Sequence, residues 1–176
     1  MANQEHLRIL EQGGVAWNQW RDQHRDIRPD LSNACLSGTN LDYANLTRTD
    51  LRGAKLHEAQ LAMTNLTRAD LTGADLSRAF LFETIFGDTN LTDVHGVETC
   101  FYAAPSSLDH RTLAKSGPLP LVFLRGCGLN DWEIEAIKLH QPGLTPPPDK
   151  RHHLSHLWPT CGSLNPVLLL LHQLCE

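Results

Sequence analysis

Few residues in this chain have the types and spacing to do chemistry, and they stand outside its most regular stretch. Ser107, Asp109 and His110 hold the letters of a hydrolase triad. Neighbours on one helical turn cannot reach that geometry, in which nucleophile, base and orienting acid converge from separate parts of a fold. Cys127 lies between Gly126 and Gly128 and draws attention as a nucleophile, yet no base can be assigned to it. His152, His153 and His156 could touch a metal, because i, i+4 spacing places two of them on one helix face, but no complete ligand shell is evident around them. No Gly-rich phosphate loop is present. These residues lead to the expectation of a non-enzyme with no catalytic residue, no metal and no cofactor.

The bulk properties narrow the class further. The chain has 176 residues and a net charge of -5, which fits one ordinary domain with extensions. An acidic balance argues against direct nucleic-acid binding, which calls for a basic surface. Five cysteines (Cys35, Cys100, Cys127, Cys161, Cys175) are odd in number, scattered and free of any CxxC pair, as free thiols in a reducing compartment are. The first residues lack the basic flank and apolar core of a signal peptide. Val167 to Leu171 is the longest apolar run, far short of the roughly 18 residues a membrane span needs. The expectation is a cytoplasmic protein without membrane contact.

What organises the chain is a large apolar residue at every fifth position: Leu31, Leu36, Leu41, Leu46, Leu51, Leu56, Leu61, Leu66, Leu71, Leu76, Leu81, Phe86 and Leu91. Two residues before each stands Ala, Thr or, at the first, Pro29. A five-residue beat matches neither the helical period of 3.6 nor the strand period of 2, so neither element runs through the region. The chain can instead turn a corner in each unit, with Leu inward and the polar residues outward.

A longer beat is superimposed. Arg28-Pro29-Asp30-Leu31 recurs as Arg48-Thr49-Asp50-Leu51, Arg68-Ala69-Asp70-Leu71 and Asp88-Thr89-Asn90-Leu91, a spacing of 20 residues. Four units per coil follow. With coils stacked at the strand spacing of about 4.8 Å, Asp30, Asp50 and Asp70 form an acidic ladder beside a basic one of Arg28, Arg48 and Arg68. Like charges one strand apart repel, so each ladder is expected to screen the other. Glu58 is expected to stack beneath Arg78. Past Leu91 the register falters at Gly96 and is expected to recover with Thr99 small and Phe101 inward. The sequons at Asn45, Asn65 and Asn90 are by-products of the repeat.

Units such as Ala44-Asn45-Leu46-Thr47-Arg48, Ala69-Asp70-Leu71-Thr72-Gly73 and Ala74-Asp75-Leu76-Ser77-Arg78 resemble the pentapeptide repeat family, A-(D/N)-L-x-x. The resemblance implies an all-β solenoid: a right-handed quadrilateral β-helix, here just under four coils. The array and the absence of a catalytic constellation lead to the expectation of a non-enzymatic scaffold or protein-protein interaction module, with a protein partner that the sequence does not name and an oligomeric state that it leaves open. The alternative that the family raises is mimicry of duplex DNA toward DNA gyrase or topoisomerase.

The flanks complete a four-part division. Residues 1–26 are predicted to be a helical N-terminal cap, with Leu7, Leu10, Trp17 and Trp20 near one face and Gly13-Gly14 splitting it. Residues 27–104 are the β-helix. Residues 105–145 are a helical C-terminal cap or linker: Ser106 or Ser107 caps a helix over Leu108 to Lys115, Leu119 to Arg125 is a short apolar element, and Asn130 caps a helix from Asp131 to about His140. This stretch resembles a linker of bacterial proteins in which pentapeptide repeats precede a TIR signalling domain. Residues 146–176, opened by Pro146-Pro147-Pro148, are expected to be disordered or out of frame, because back-translation from Arg151 admits a one-base shift that reads like a TIR entry. On that reading a C-terminal effector domain has been lost.

Overall fold

A leucine at every fifth residue leaves four residues in which to turn a corner, and the backbone shows how each turn is made. In the computed structural model, which describes residues 2–140, the amide of the small residue donates to the carbonyl of the Leu three residues earlier: Ala34 to Leu31 at 3.1 Å, Ala44 to Leu41 at 3.0 Å, Ala54 to Leu51 at 3.0 Å. The second residue after each Leu takes positive φ, including Asn33 (57°), Tyr43 (60°), Arg48 (61°) and Met63 (54°), with Gly38, Gly53 and Gly73 at the equivalent corners. The Asp or Asn before the Leu braces the same corner. Its side-chain oxygen accepts from the amide two residues on, as Asp30 does from Ser32 (2.9 Å), Asn65 from Thr67 (2.9 Å) and Asp75 from Ser77 (2.9 Å). Short polar side chains form such local turns readily, which explains the (D/N) of the repeat.

Successive coils join by parallel pairing. Asp30, Asp50, Asp70 and Asn90 form one ladder, and Cys35, Lys55, Asp75 and His95 a second. Asn40, Gln60 and Phe80 form a third, and Asn45, Asn65 and Ile85 a fourth. Each step is 20 residues and each coil meets four ladders, so the repeat builds a four-sided β-helix. Because a side offers little more than one paired residue per coil, most contacts are single bridges rather than extended strands. The named strands are short: β1 (Phe80–Phe82), β2 (Ile85–Phe86), β3 (Phe101–Ala104) and β4 (Ser107–Leu108). β1 pairs with β3 and β2 with β4, both in parallel.

Inside the coils the regular Leu positions and Phe86 are at most 3% exposed. Buried threonines fill the neighbouring slots and bond to the coil below: the Thr64 hydroxyl donates to the Leu41 carbonyl at 2.7 Å, and Thr84 does the same to Leu61 at 2.7 Å.

The register after Leu91 differs from the sequence expectation. At Gly96 (φ 74°) the chain enters a single 3-10 turn, Val97–Thr99, whose Val97 is fully buried. The extra residue moves the pairing by one, so Tyr102 rather than Phe101 lies over Leu81, and Phe101 pairs with Phe80 and is 56% exposed. A second irregularity follows between Leu81 and Phe82, so that Leu108 pairs with Phe86.

Helices flank the coils. α1 (Gln4–Glu11) and α2 (Gly14–Gln23) are separated at Gly13, and Asn3 caps α1 by accepting from the Glu5 amide at 2.8 Å. Trp17, fully buried, donates Nε1–H to the Asn45 carbonyl at 2.8 Å. Asn18 accepts from the Asn45 amide at 2.8 Å, and His6 Nδ1 from the Asp30 amide at 3.0 Å. α3 spans His110–Ser116 with Asp109 as its cap. The expected start at Ser106 or Ser107 is therefore corrected: Ser107 and Leu108 are drawn into β4 by pairing with Ile85 and Phe86. α3 supplies side-chain acceptors to three amides of the last coil, and at Asp88 and Leu91 they stand where a further coil would offer carbonyls. Asp109 accepts from the Asp88 amide (2.9 Å), Thr112 from Thr89 (2.9 Å) and Ser116 from Leu91 (3.0 Å). α4 (Leu121–Gly126) buries Phe123 edge-on against Phe86, with ring centroids 5.6 Å apart.

Residues 1–129 form one compact unit, and a second begins at Asn130. In the second, α5 (Asp131–His140) starts with a reciprocal cap: Asn130 Oδ1 accepts from the Glu133 amide at 3.1 Å, and Glu133 Oε2 from the Asn130 amide at 2.9 Å. The expected tail, 146–176, lies outside the described residues.

Candidate functional site

The residues with catalytic letters are occupied structurally. Asp109 is an N-cap: its Oδ1 accepts from the Thr112 amide at 2.8 Å and the Thr112 hydroxyl at 2.7 Å. Burial opposes its ionisation, but these bonds and the one from Asp88 hold its carboxyl below the usual value. Ser107 sits in β4, apart from that cap in role. Cys127 is 7% exposed, and burial pushes its thiol up to about 12, away from the thiolate a nucleophile needs. Burial likewise raises Cys100 to about 11, and its Sγ lies 3.1 Å from the Leu76 carbonyl. Among the described residues no group of three or more His, Cys, Asp or Glu is placed to hold a metal. His152, His153 and His156 lie outside the described residues.

The charged face is where polar groups from several coils converge. Asp30, Asp50 and Asp70 stack as one ladder. The Ser32 amide holds the Asp30 carboxyl below its ordinary value. Asp50 is held down first by the Arg52 side chain, whose Nη2 is 2.6 Å from Oδ2 and whose Nε is 2.9 Å from Oδ1. Arg52 also stands 3.9 Å from Asp70. Sequence reasoning missed it, because its register positions elsewhere are Ser32, Thr72 and Thr92 and show no recurring charge.

The basic residues split in their roles. Arg28 reaches past its own coil to within 4.0 Å of Asp70. Arg68 Nε lies 3.5 Å from Asp88 Oδ2, and Lys115 Nζ pairs with the other oxygen of Asp88. Lys115 lowers the Asp88 pKa by that bond. Arg48 is exposed and, among the described residues, makes no ion pair. The carboxylate of Asp50 is paired with Arg52 rather than with a member of the Arg28, Arg48, Arg68 ladder. Glu58 and Arg78 do meet, at 3.3 Å, at the opposite corner of the coil.

Comparison with known proteins agrees with this construction. The model of the family "Pentapeptide repeats" matches residues 30–62 and 59–95, in 8 copies. Residues 30–95 are thus pentapeptide repeats of that family. Among solved structures it is similar to HetL, a pentapeptide repeat protein involved in heterocyst differentiation regulation from the cyanobacterium Nostoc, at 30% identity over 38% of this chain, with a TM-score of 0.19. The match spans 42% of HetL, less than half its length. It is also similar to a pentapeptide repeat protein of the Arabidopsis thaliana thylakoid lumen, at 20% identity over 72% of this chain and 88% of that one, with a TM-score of 0.28. No curated protein sequence matches the chain. No helix among the described residues is long and apolar enough to cross a membrane.

Proposed function

We propose that this chain is a non-enzymatic pentapeptide-repeat scaffold that presents rigid outer faces to a protein partner. One observation carries the reading: the regular inward positions are filled by Leu and Phe86 at no more than 3% exposure, so the polar groups are displayed on the outside of the coils. On this reading the β-helix is right-handed and quadrilateral with just under four coils. Residues 1–26 cap the first coil and residues 105–145 cap or extend the last. The contacts of Trp17, Asn18 and His6 with the first coil, and of Asp109, Thr112 and Ser116 with the last, support the capping roles.

Affinity capture with the full chain tests the scaffold role. A protein retained by the folded chain and released when the same chain is heat-unfolded is the expected result; no specifically retained protein removes the reading. The linker resemblance of residues 105–145 further supports association of such arrays with a TIR signalling domain. Reading the gene in its other two frames beyond Pro146 tests that association, and finding no TIR-like continuation there sinks it.

A further inference from the structure

The charged face contains a cleft of about 360 Å³ whose lining includes Arg28, Arg48, Arg68 and Lys115 with Asp70 and Asp88. Four cations stand against two carboxylates, a local surplus of two positive charges on a chain whose net charge is -5. Both carboxylates are already engaged, Asp70 by Arg28 and Arg52, Asp88 by Arg68 and Lys115. Arg48 lies on the level between Arg28 and Arg68, exposed and, among the described residues, without an ion pair. Behind it Arg21 is 5% exposed, with its guanidinium held by the carbonyls of Ile27 (2.9 Å) and Thr47 (3.0 Å) rather than by a carboxylate. Burial, and after it the charge of Arg48, lowers the Arg21 pKa.

We propose that this cleft binds an acidic segment of a protein partner, an extended peptide whose carboxylates sit on Arg48 and its neighbours. The proposal rests on the scaffold reading and names the partner's chemistry. From the level of Arg28 to that of Asp88 is three coil spacings, about 14 Å, the reach of roughly four extended residues. A small oxyanion would meet only part of that row. The guanidinium fork suits carboxylates in two-point contact, and the surplus charge matches two of them.

Binding of a fluorescein-labelled octaglutamate to the full chain, followed by anisotropy at low salt, tests the cleft. Saturable binding that weakens steeply with added salt is expected. Arg48→Glu should weaken it at least about tenfold, the loss of one charge-assisted contact. Glutamate already occupies the equivalent positive-φ corner at Glu58 and Glu83, so the substitution suits the backbone. Arg78→Glu makes the same change of net charge at the opposite corner of the coil, half a coil from Arg48 in register, and should leave binding within about twofold; melting curves check that both variants fold. Equal loss in both variants, no binding at millimolar peptide, or displacement by inorganic phosphate as effective as by unlabelled octaglutamate would overturn the proposal. Capture of the same protein by wild type and Arg48→Glu overturns the cleft alone and leaves the scaffold reading standing; capture by neither the wild type nor any variant removes the scaffold reading.

Discussion

Arg52 reaches back to Asp50, with Nη2 2.6 Å from Oδ2, and also stands 3.9 Å from Asp70 on the next coil. One side chain thus screens two rungs of an acidic ladder whose members lie one strand spacing apart. Without such screening, stacked carboxylates would destabilise the pairing. The guanidinium is exposed, so the pair itself contributes modestly, but it keeps Asp50 ionised in a setting where burial alone would favour protonation.

That ionisation makes stability depend on pH. Asp30, Asp50, Asp75 and Asp109 all have folded pKa values below their ordinary ones. Each therefore binds a proton more weakly folded than unfolded, and stability rises with pH where the unfolded chain holds more protons. The contribution is complete above the unfolded carboxylate value of about 4 and is lost as pH falls through the lower folded values. Urea midpoints should drop as pH falls below about 5, with Asp50→Asn showing a shallower drop. A midpoint indifferent to acid would contradict this.

The inward leucines and the 20-residue coil were legible because both are periodic, and periodicity survives in a single sequence. Arg52 was not, since the residues stacked with it carry no charge. Nor was the shift that places Tyr102 over Leu81, because one added residue near Gly96 leaves no repeating mark. Thr112 and Ser116 complete backbone bonds of the last coil from a helix, and only the three-dimensional arrangement brings them there. On the charged face, the stacking of Asp30, Asp50 and Asp70 followed from spacing, whereas the partner each arginine chose depended on side-chain reach.

Two buried threonines make a contrast. The Thr64 hydroxyl donates to the Leu41 carbonyl one coil below, whereas Thr49, equally buried, has no hydrogen-bond partner for its hydroxyl among the described residues. Thr64→Val should cost about 0.5–1.5 kcal/mol, the net worth of a lost bond. Thr49→Val removes an unpaired buried hydroxyl and should be neutral or stabilise by about 1 kcal/mol. Equal destabilisation in urea unfolding would show that the two hydroxyls are equivalently satisfied.

Duplex mimicry predicts a different surface from the one seen. A DNA mimic needs carboxylates free to meet a basic groove, yet Asp50, Asp70 and Asp88 are each engaged by Arg52, Arg28, Arg68 or Lys115. In a supercoiling assay the chain at micromolar concentration should neither inhibit gyrase nor protect it from a quinolone. Inhibition would put mimicry ahead of the scaffold reading and would show that those ion pairs open readily.

The end of α4 tests how the coils are closed. A Cβ added at Gly126 would lie far inside van der Waals contact of Tyr102 Cδ1 and Cε1. The ring cannot swing aside freely: its hydroxyl bonds to the Val97 carbonyl, and its edge faces Phe123 at a centroid distance of 6.4 Å. Gly126→Ala should therefore cost about 1–3 kcal/mol, as overpacking does. Tyr102→Leu removes the ring carbons that clash, so Gly126→Ala in that background should cost distinctly less, and the two changes should be non-additive in urea unfolding. Strict additivity would mean that Gly126 and the Tyr102 ring are not in contact.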